Sequence, residues 1–195
     1  FSITTPGIAT DALTVGATDN NDQLASFSGR GPTKDGRLKP EITAPGVGIT
    51  APRASGTAMG TTINSYYTQA SGTSMATPHV AGMAALLKQA HPTWSSHQLK
   101  NAIQISSKDV GLAPYEQGIG RVDTVKAVNV NVVLSNEGIL DFGFPTSSTP
   151  SVNFQIESGS ASLGESDANF TLTSGGSLFT ASYSFVPGFR LYRAL

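Results

Sequence analysis

One stretch, SGTSMATPHVAG over residues 71–82, constrains the fold of this 195-residue chain more than any other. It places small residues, a proline and a histidine directly before the apolar run MAALLKQA, and together they predict a helix from about Ser74 to Ala90. The N-terminus of a helix presents free N–H groups and a partial positive charge, which suit a reactive serine. An N-cap serine on a purely structural helix is the commoner use of this residue. The stretch alone leaves both interpretations open.

The residues around Ser74 favour chemistry but leave the start of the helix ambiguous. Gly72 has no Cβ and lets a substrate carbonyl approach closely, while Ala76 keeps the next position small. Proline is preferred at the first helical position, so Pro78 alone favours a start with Thr77 as the cap. A helix that begins at Ser74 would lose a first-turn hydrogen bond at Pro78 and be distorted there.

The remaining pattern before residue 130 alternates strands with helices, which is typical of an α/β layer structure. A second helix in HPTWSSHQLKNAIQIS begins with a capping box between Ser95 and Gln98, and Trp94 and Leu99 can form a hydrophobic staple. The other predicted elements are a buried strand in ALTVGAT (12–18), two short strands around Pro45-Gly46 in EITAPGVGITAP (41–52), and one arm of a hairpin in TTINSYYTQAS (61–71).

The composition changes near residue 130. Every lysine, every histidine and the single tryptophan precede this point. Beyond it, short alternating runs rich in Val, Phe, Ile and Thr are separated by Gly, Ser, Pro and Asn, a pattern typical of antiparallel strands. We therefore predict two domains, an α/β part over 1–130 and a β-rich module over 131–195. The module is fibronectin- or immunoglobulin-like, or a part of such a sandwich, since a complete one needs ~100 residues.

Charge and composition exclude several classes of protein. The net charge is −1 without clustered Lys or Arg, so no nucleic-acid partner is expected. The longest apolar run, VAGMAALL, is far shorter than the ~20 residues of a membrane span. There is no cysteine, hence no disulfide or thiolate metal site. The opening FSITTPGIATD lacks the regions of a signal peptide, so we expect the chain to begin inside a larger protein.

Five segments, in the same order, resemble the subtilisin-like serine proteases (subtilases, peptidase family S8). They are LTVGAT (13–18), ASFSGRGPTKDGRLKPEITAPGVGI (25–49), the serine segment SGTSMATPHVAGMAALL (71–87), HPTWSSHQLKNAI (91–103) and YEQGIGRVDTVKAV (115–128). The resemblance covers roughly residues 1–130. It implies the C-terminal part of a doubly wound parallel-sheet domain, in which the serine opens the helix and Pro78 lies in its first turns.

The resemblance also implies roles for individual residues. Ser74 becomes the nucleophile that is acylated, and its N–H together with the Thr73 region contributes to the oxyanion hole. Gly72 accepts the close approach of the substrate backbone. By analogy with the family, Thr5 and Pro6 reach the floor of the primary specificity pocket.

The resemblance places the other catalytic groups outside this chain. A serine hydroxyl needs a general base that is oriented by a third group, and the family supplies an Asp and then a His before its serine. No histidine precedes Ser74 here, and His79 would be rotated about 140° from it around the helix. We expect the Asp, the His and an oxyanion Asn to come from an upstream part of the same polypeptide. The 195 residues alone are expected to be inactive.

The function implied is that of a secreted, extracellular serine endopeptidase fragment acting on protein or peptide substrates. No cofactor is required. The family places a carboxylate in KPEI, here Glu41, which with backbone carbonyls can bind a structural calcium or sodium. The alternative is a carboxylate that is solvated or ion-paired beside Lys39. The alternative function is a truncated, non-catalytic protease-like protein that binds peptides or attaches to a surface.

Overall fold

A computed structural model describes residues 2–130, and beyond them the backbone of two short strands. The helices are α1 (Thr73–Ala90), α2 (Ser96–Ser106), α3 (Pro114–Gln117) and α4 (Thr124–Val128). The strands are β1 (Val15–Thr18), β2 (Ile42–Pro45), β3 (Ile49–Pro52), β4 (Thr61–Thr62), β5 (Tyr67–Ala70), β6 (Val132–Leu134) and β7 (Ile156–Ser158).

The centre of the fold is a parallel pair of buried strands. β1 and β2 run in register from Val15 opposite Ile42 to Thr18 opposite Pro45. The segment 120–122 extends this sheet along β2, because the N–H of Thr43 donates to the Gly120 carbonyl at 2.8 Å and the N–H of Val122 donates to the Thr43 carbonyl at 2.9 Å. With α1 packed against both strands, this arrangement confirms the predicted α/β class.

Helix α1 covers the parallel strands with one apolar stripe. Ala76, Val80, Met83 and Leu87 follow one another at helical spacing and are all buried. They belong to a core that also contains Ala17, Ile42, Ala44, Trp94, Ile103 and Val122. Leu86, three residues after Met83, lies at the edge of this stripe and is 50% exposed.

A second, antiparallel sheet projects beside the start of α1, and we call its residues 49–70 the arm. Its strand order is β3-β5-β4, with Ile49 opposite Ala70 and Thr61 opposite Gln69. The prediction of a single hairpin arm over 61–71 was wrong, because the segment contains two strands. Between them the Asn64 side chain accepts hydrogen bonds from the N–H groups of Tyr66 and Tyr67, which forms the turn.

The predicted start of α2 is confirmed in detail. The N–H of Ser95 donates to Oε1 of Gln98 at 2.8 Å, and the N–H of Gln98 donates to Oγ of Ser95 at 3.3 Å. Trp94 is buried and Leu99 packs against the core. The short helices α3 and α4 were not predicted.

Of the predicted β-rich module, only an antiparallel pair of strands is described, β6 with β7. The rest of residues 131–195 lies outside the described residues. The domain boundary at 130 and the sandwich-like module therefore stay predictions. Within the described part of the chain, no helix combines the length and apolar character that a membrane span needs.

Candidate active site

Ser74 lies in the first turn of α1, close to the carboxyl ends of both parallel strands. The N–H of Gly46, just after β2, donates to the Thr18 carbonyl at the end of β1 at 2.8 Å. The Gly46 carbonyl in turn accepts from the N–H of Gly72 at 2.8 Å. These two hydrogen bonds position the start of α1 at the edge where open α/β sheets bind ligands.

The backbone around Ser74 leaves hydrogen-bond donors free. The Gly72 carbonyl accepts from the N–H groups of Met75 at 3.0 Å and Ala76 at 3.3 Å, which begins the helix. Among the described residues, the N–H groups of Thr73 and Ser74 have no acceptor. Ser74 is exposed, so its hydroxyl lies beside two free donors at the positive end of an 18-residue helix. Such donors stabilise an oxyanion that develops next to the hydroxyl.

The helix starts where the family resemblance implies. It begins at Thr73 and contains Pro78, whereas the residues alone had favoured a start after Thr77. Pro78 has no N–H to donate to the carbonyl of Ser74, four residues earlier. The Thr77 hydroxyl donates to the Thr73 carbonyl at 2.9 Å in the same turn.

None of the three histidines makes a hydrogen bond to Ser74 in the described structure. Nδ1 of His79 lies 2.8 Å from the Met75 carbonyl oxygen. Nε2 of His91 lies 3.0 Å from the Val128 carbonyl oxygen, and its ring stacks on Trp94 at 3.7 Å. His97 is exposed. The described residues thus place an exposed serine beside two N–H groups without acceptors, and no histidine lies in hydrogen-bond contact with it.

Two glycines near Ser74 play different parts. A Cβ on Gly46 would lie 2.7 Å from Cβ of Ala17 and 2.8 Å from the Gly72 carbonyl oxygen, so only glycine fits there. A Cβ on Gly72 would meet nothing closer than Sδ of Met75 at 3.5 Å among the described residues. A Cβ at Gly72 would therefore make ordinary van der Waals contacts and no clash. Sequence reasoning predicted only a turn at Gly46, and the dipeptide Pro45-Gly46 was the sole signal.

A cleft of about 520 Å³ opens beside Ser74, within the ~300–1,000 Å³ typical of ligand sites. The arm supplies one wall and the start of α1 supplies the other. The lining residues are Met59, Gly60, Thr61, Gln69, Ala70, Ser71, Gly72, Ser74 and Met75. Sequence reasoning missed the segment 59–61, because its place beside Ser74 depends on how the arm folds.

Thr5 and Pro6 lie in an exposed turn and are not among the residues that line this cleft. The Pro6 carbonyl accepts from the N–H of Ala9 at 3.0 Å, and the Thr14 hydroxyl donates to the Gly7 carbonyl at 2.6 Å. Their assignment to the specificity pocket stays a prediction.

Glu41 lies in a buried ion-pair cluster. Oε2 accepts from Nζ of Lys39 at 2.9 Å and from the N–H of Thr14 at 2.8 Å, while Oε1 lies 2.7 Å from Nζ of Lys100. Nζ of Lys39 also donates to the Ala12 carbonyl at 2.6 Å. Burial lowers the pKa of Lys39 below its usual range, against the raising effect of Glu41. These residues do not fit a calcium or sodium ion at Glu41, because two ammonium groups already occupy its carboxylate.

A second cluster ties the segment 120–122 to the loop after β1. Oδ2 of Asp22 accepts from Nζ of Lys108 at 2.8 Å, and Oδ1 forms an ion pair with Nε of Arg121. The Lys108 hydrogen bond, with a further contribution from Arg121, lowers the pKa of the Asp22 carboxyl. This cluster stabilises the fold and is separate from the cleft.

The chain is similar in sequence to one known family and to several proteases. The subtilase family matches residues 2–121. M-protease of Shouchella clausii is 43% identical over 110 residues, and serine protease AprX of Bacillus subtilis is 40% identical over 115 residues. These matches cover 56% and 53% of this chain but only 25% and 26% of those proteins.

More distant relatives give the same picture. Subtilisin-like protease SBT3 of Solanum lycopersicum is 38% identical over 131 residues, which cover 56% of this chain and 17% of that protein. A solved protease structure from Pseudoalteromonas arctica has a TM-score of 0.54 and 29% identity, over 64% of this chain and 37% of that one. The chain thus spans about a quarter of the length of the first curated relatives that it matches.

Proposed function

The chain belongs to the subtilase family, and on this premise we propose that it is the C-terminal part of a serine endopeptidase with Ser74 as the nucleophile. One observation carries the proposal. An exposed serine lies at a helix N-terminus beside two N–H groups that have no acceptor among the described residues, and it faces an open cleft.

The chemistry follows from these groups. A general base takes the Ser74 proton as Oγ bonds to the substrate's carbonyl carbon. The carbonyl oxygen becomes an oxyanion and is stabilised by the Ser74 N–H and neighbouring donors. When this intermediate collapses, the C–N bond breaks and the amine leaves with the proton from the base. Water then hydrolyses the acyl-enzyme through the same steps, which restores the Ser74 hydroxyl.

We propose that the base and its orienting acid come from a preceding part of the same polypeptide. We call the protein that combines them with this chain the complete protease. The second face of α1 supports this proposal. Ala81, Gly82, Ala85 and Leu86 are apolar and all exposed in the described structure, and contiguous exposed apolar patches commonly mark interfaces. A preceding segment that covers this face brings its own residues towards the start of α1.

The substrates in this proposal are proteins or peptides, which the enzyme cleaves outside the cell. No cofactor takes part, since the serine, the donors and an external acid–base pair complete the reaction. At Glu41, Lys39 and Lys100 supply the positive charge that a bound structural cation would bring.

A serine-directed fluorophosphonate tests the assignment. We expect it to label the complete protease and to leave the Ser74→Ala variant unlabelled. Ser71→Ala is the matched control, since Ser71 lines the same cleft and its Oγ only accepts from the N–H of Gly48 at 2.9 Å. Persistent labelling of Ser74→Ala would exclude Ser74 as the nucleophile. A folded protein that takes no label but binds peptides would support the non-catalytic alternative.

A further inference from the structure

Met59 is an exposed apolar side chain that the fold does not use. Its exposed fraction is 61%, and it lies on the arm and lines the cleft together with Ser74 and Met75. The arm carries other large exposed side chains, Ile63, Tyr66 and Tyr67. Of these four, Met59 alone lines the cleft.

The backbone that carries Met59 is held firmly in place. The buried Thr68 hydroxyl lies 2.7 Å from the Met59 carbonyl oxygen and 3.2 Å from that of Thr61. Gly60 has a φ of +72°, and a Cβ there would lie 2.4 Å from the Gln69 carbonyl oxygen. Residues 59–61 are therefore pressed against β5, which leads directly into the serine segment. The side chain of Met59 is therefore largely exposed, while its backbone is hydrogen-bonded to β5.

The chemistry of the cleft indicates what this side chain meets. Two methionines, Met59 and Met75, are among its nine lining residues, and none of the nine is charged. The polar groups come from neutral side chains such as Thr61 and Gln69. A flexible, polarisable methionine adapts to apolar partners of different shapes, whereas a charged group entering this cleft would lose water without gaining an ion-pair partner.

We propose that Met59 is a specificity-determining residue. Its side chain contacts a substrate side chain that flanks the bond cleaved at Ser74, and it favours uncharged, apolar side chains over charged ones there. This inference rests on the proposed function, since it assigns a substrate preference to the same site.

The test introduces a positive or a negative charge at position 59 of the complete protease. Met59→Lys and Met59→Glu are compared with Ile63→Lys and Ile63→Glu, which place the same charges on the same arm outside the cleft. Peptides with acidic, basic or apolar side chains on either side of the scissile bond give kcat/KM for each flanking position. Met59→Lys should raise the kcat/KM of acidic relative to apolar substrates at one flanking position by roughly two- to fivefold, the range that an exposed ion pair of about 0.2–1 kcal/mol allows. Met59→Glu should do the same for basic substrates.

The controls separate the two proposals. Ile63 variants should keep the preferences of the parent enzyme. Fluorophosphonate labelling of each variant reports whether the site is intact, and Met59→Gln, neutral and of similar length, serves if a charged variant fails to fold. Met59→Gln should weaken the preference for apolar substrates several-fold. If labelling persists while the Met59 variants retain the parent preferences at both flanking positions, this inference is wrong and the proposed function stands. If the parent itself takes no label, the proposed function fails.

Discussion

Gly46 fixes the relation between Ser74 and the parallel strands, although it is 28 positions away in sequence. It links the end of β1 to Gly72 through its N–H and its carbonyl, and neither neighbour leaves room for a side chain. The geometry of the site thus depends on a residue that takes no part in the chemistry.

We expect Gly46→Ala to destabilise the protein by roughly 1–3 kcal/mol, as overpacking in a tight site does, and to slow the labelling of Ser74. The added Cβ would press on Cβ of Ala17 and on the Gly72 carbonyl. Urea unfolding and labelling rates measure the two effects. Ala17→Gly should restore part of the stability in the double variant, since it removes one of the two clashes. A Gly46→Ala variant with unchanged stability and labelling would show that the site tolerates a shift here.

Asp22 predicts a pH dependence of stability at the residue scale. Its carboxyl pKa in the folded protein lies below the ordinary value of 3.8, first because Lys108 donates to it and then because Arg121 is near. A lowered folded pKa means that the charged form stabilises the fold above about pH 4. This contribution is lost as the pH falls from there through the folded pKa.

Asp22→Asn should therefore cost about 1 kcal/mol at pH 7, the upper range for exposed ion pairs, and less at about pH 3, where part of the contribution is lost. Urea unfolding at the two pH values measures this difference. Asp11→Asn, which changes an exposed carboxylate outside the cluster, is the control and should have little effect at either pH. An equal cost of Asp22→Asn at both pH values would contradict the assignment.

At the scale of elements, the start of α2 is stabilised by a complete capping box. Both hydrogen bonds of the capping box are present between Ser95 and Gln98. We expect Ser95→Ala to lower the free energy of unfolding by about 1 kcal/mol, the usual effect of losing an N-cap. The neighbouring Ser96→Ala, inside the helix and exposed, should change it by much less. Chemical denaturation of both variants makes the comparison, and equal effects would mean that the cap does not stabilise α2.

The same scale shows what the sequence could predict. Strands β1, β2 and β3 and helices α1 and α2 follow from local patterns of apolar residues, turns and caps, and the structure contains them all. The helices α3 and α4 are four and five residues long, too short for a periodic signal. The two strands within 61–71 were missed because Asn64 forms its turn inside a segment that alternates throughout.

The residues of the candidate site also fall into those that local sequence predicts and those that only the folded structure brings together. Ser74, Gly72 and Thr73 are adjacent in sequence, so their common position at the start of α1 was predictable. The second ion-pair partner of Glu41 was not predictable from the sequence, because Lys100 is 59 positions away and reaches Glu41 only through the packing of α2. The segment 59–61 lines the cleft for a similar reason, since its position is set by contacts with Thr68 and Gln69 on β5.

At the scale of the whole molecule, α1 predicts a covered second face in the complete protease. Leu86 is 50% exposed in the described structure, and Val125 on α4 is 74% exposed. Leu86→Asp should destabilise the complete protease by roughly 2–3 kcal/mol or more, because it places a carboxylate in an apolar interface. Val125→Asp, the control, should stay within about 0.5 kcal/mol, as surface changes do. Thermal unfolding compares them, and similar small effects would indicate that nothing covers this face.

The central claim is that these 195 residues hold the nucleophile and its oxyanion donors, while the base lies elsewhere in the complete protease. Turnover of an internally quenched peptide by the purified chain and by the complete protease, measured side by side, tests it most directly. Without a base, a serine protease keeps only ~10³–10⁴-fold acceleration over water, which such an assay does not detect. We predict turnover by the complete protease, abolished by Ser74→Ala, and none by the chain alone. Clear peptide cleavage by the purified 195-residue chain would contradict the claim.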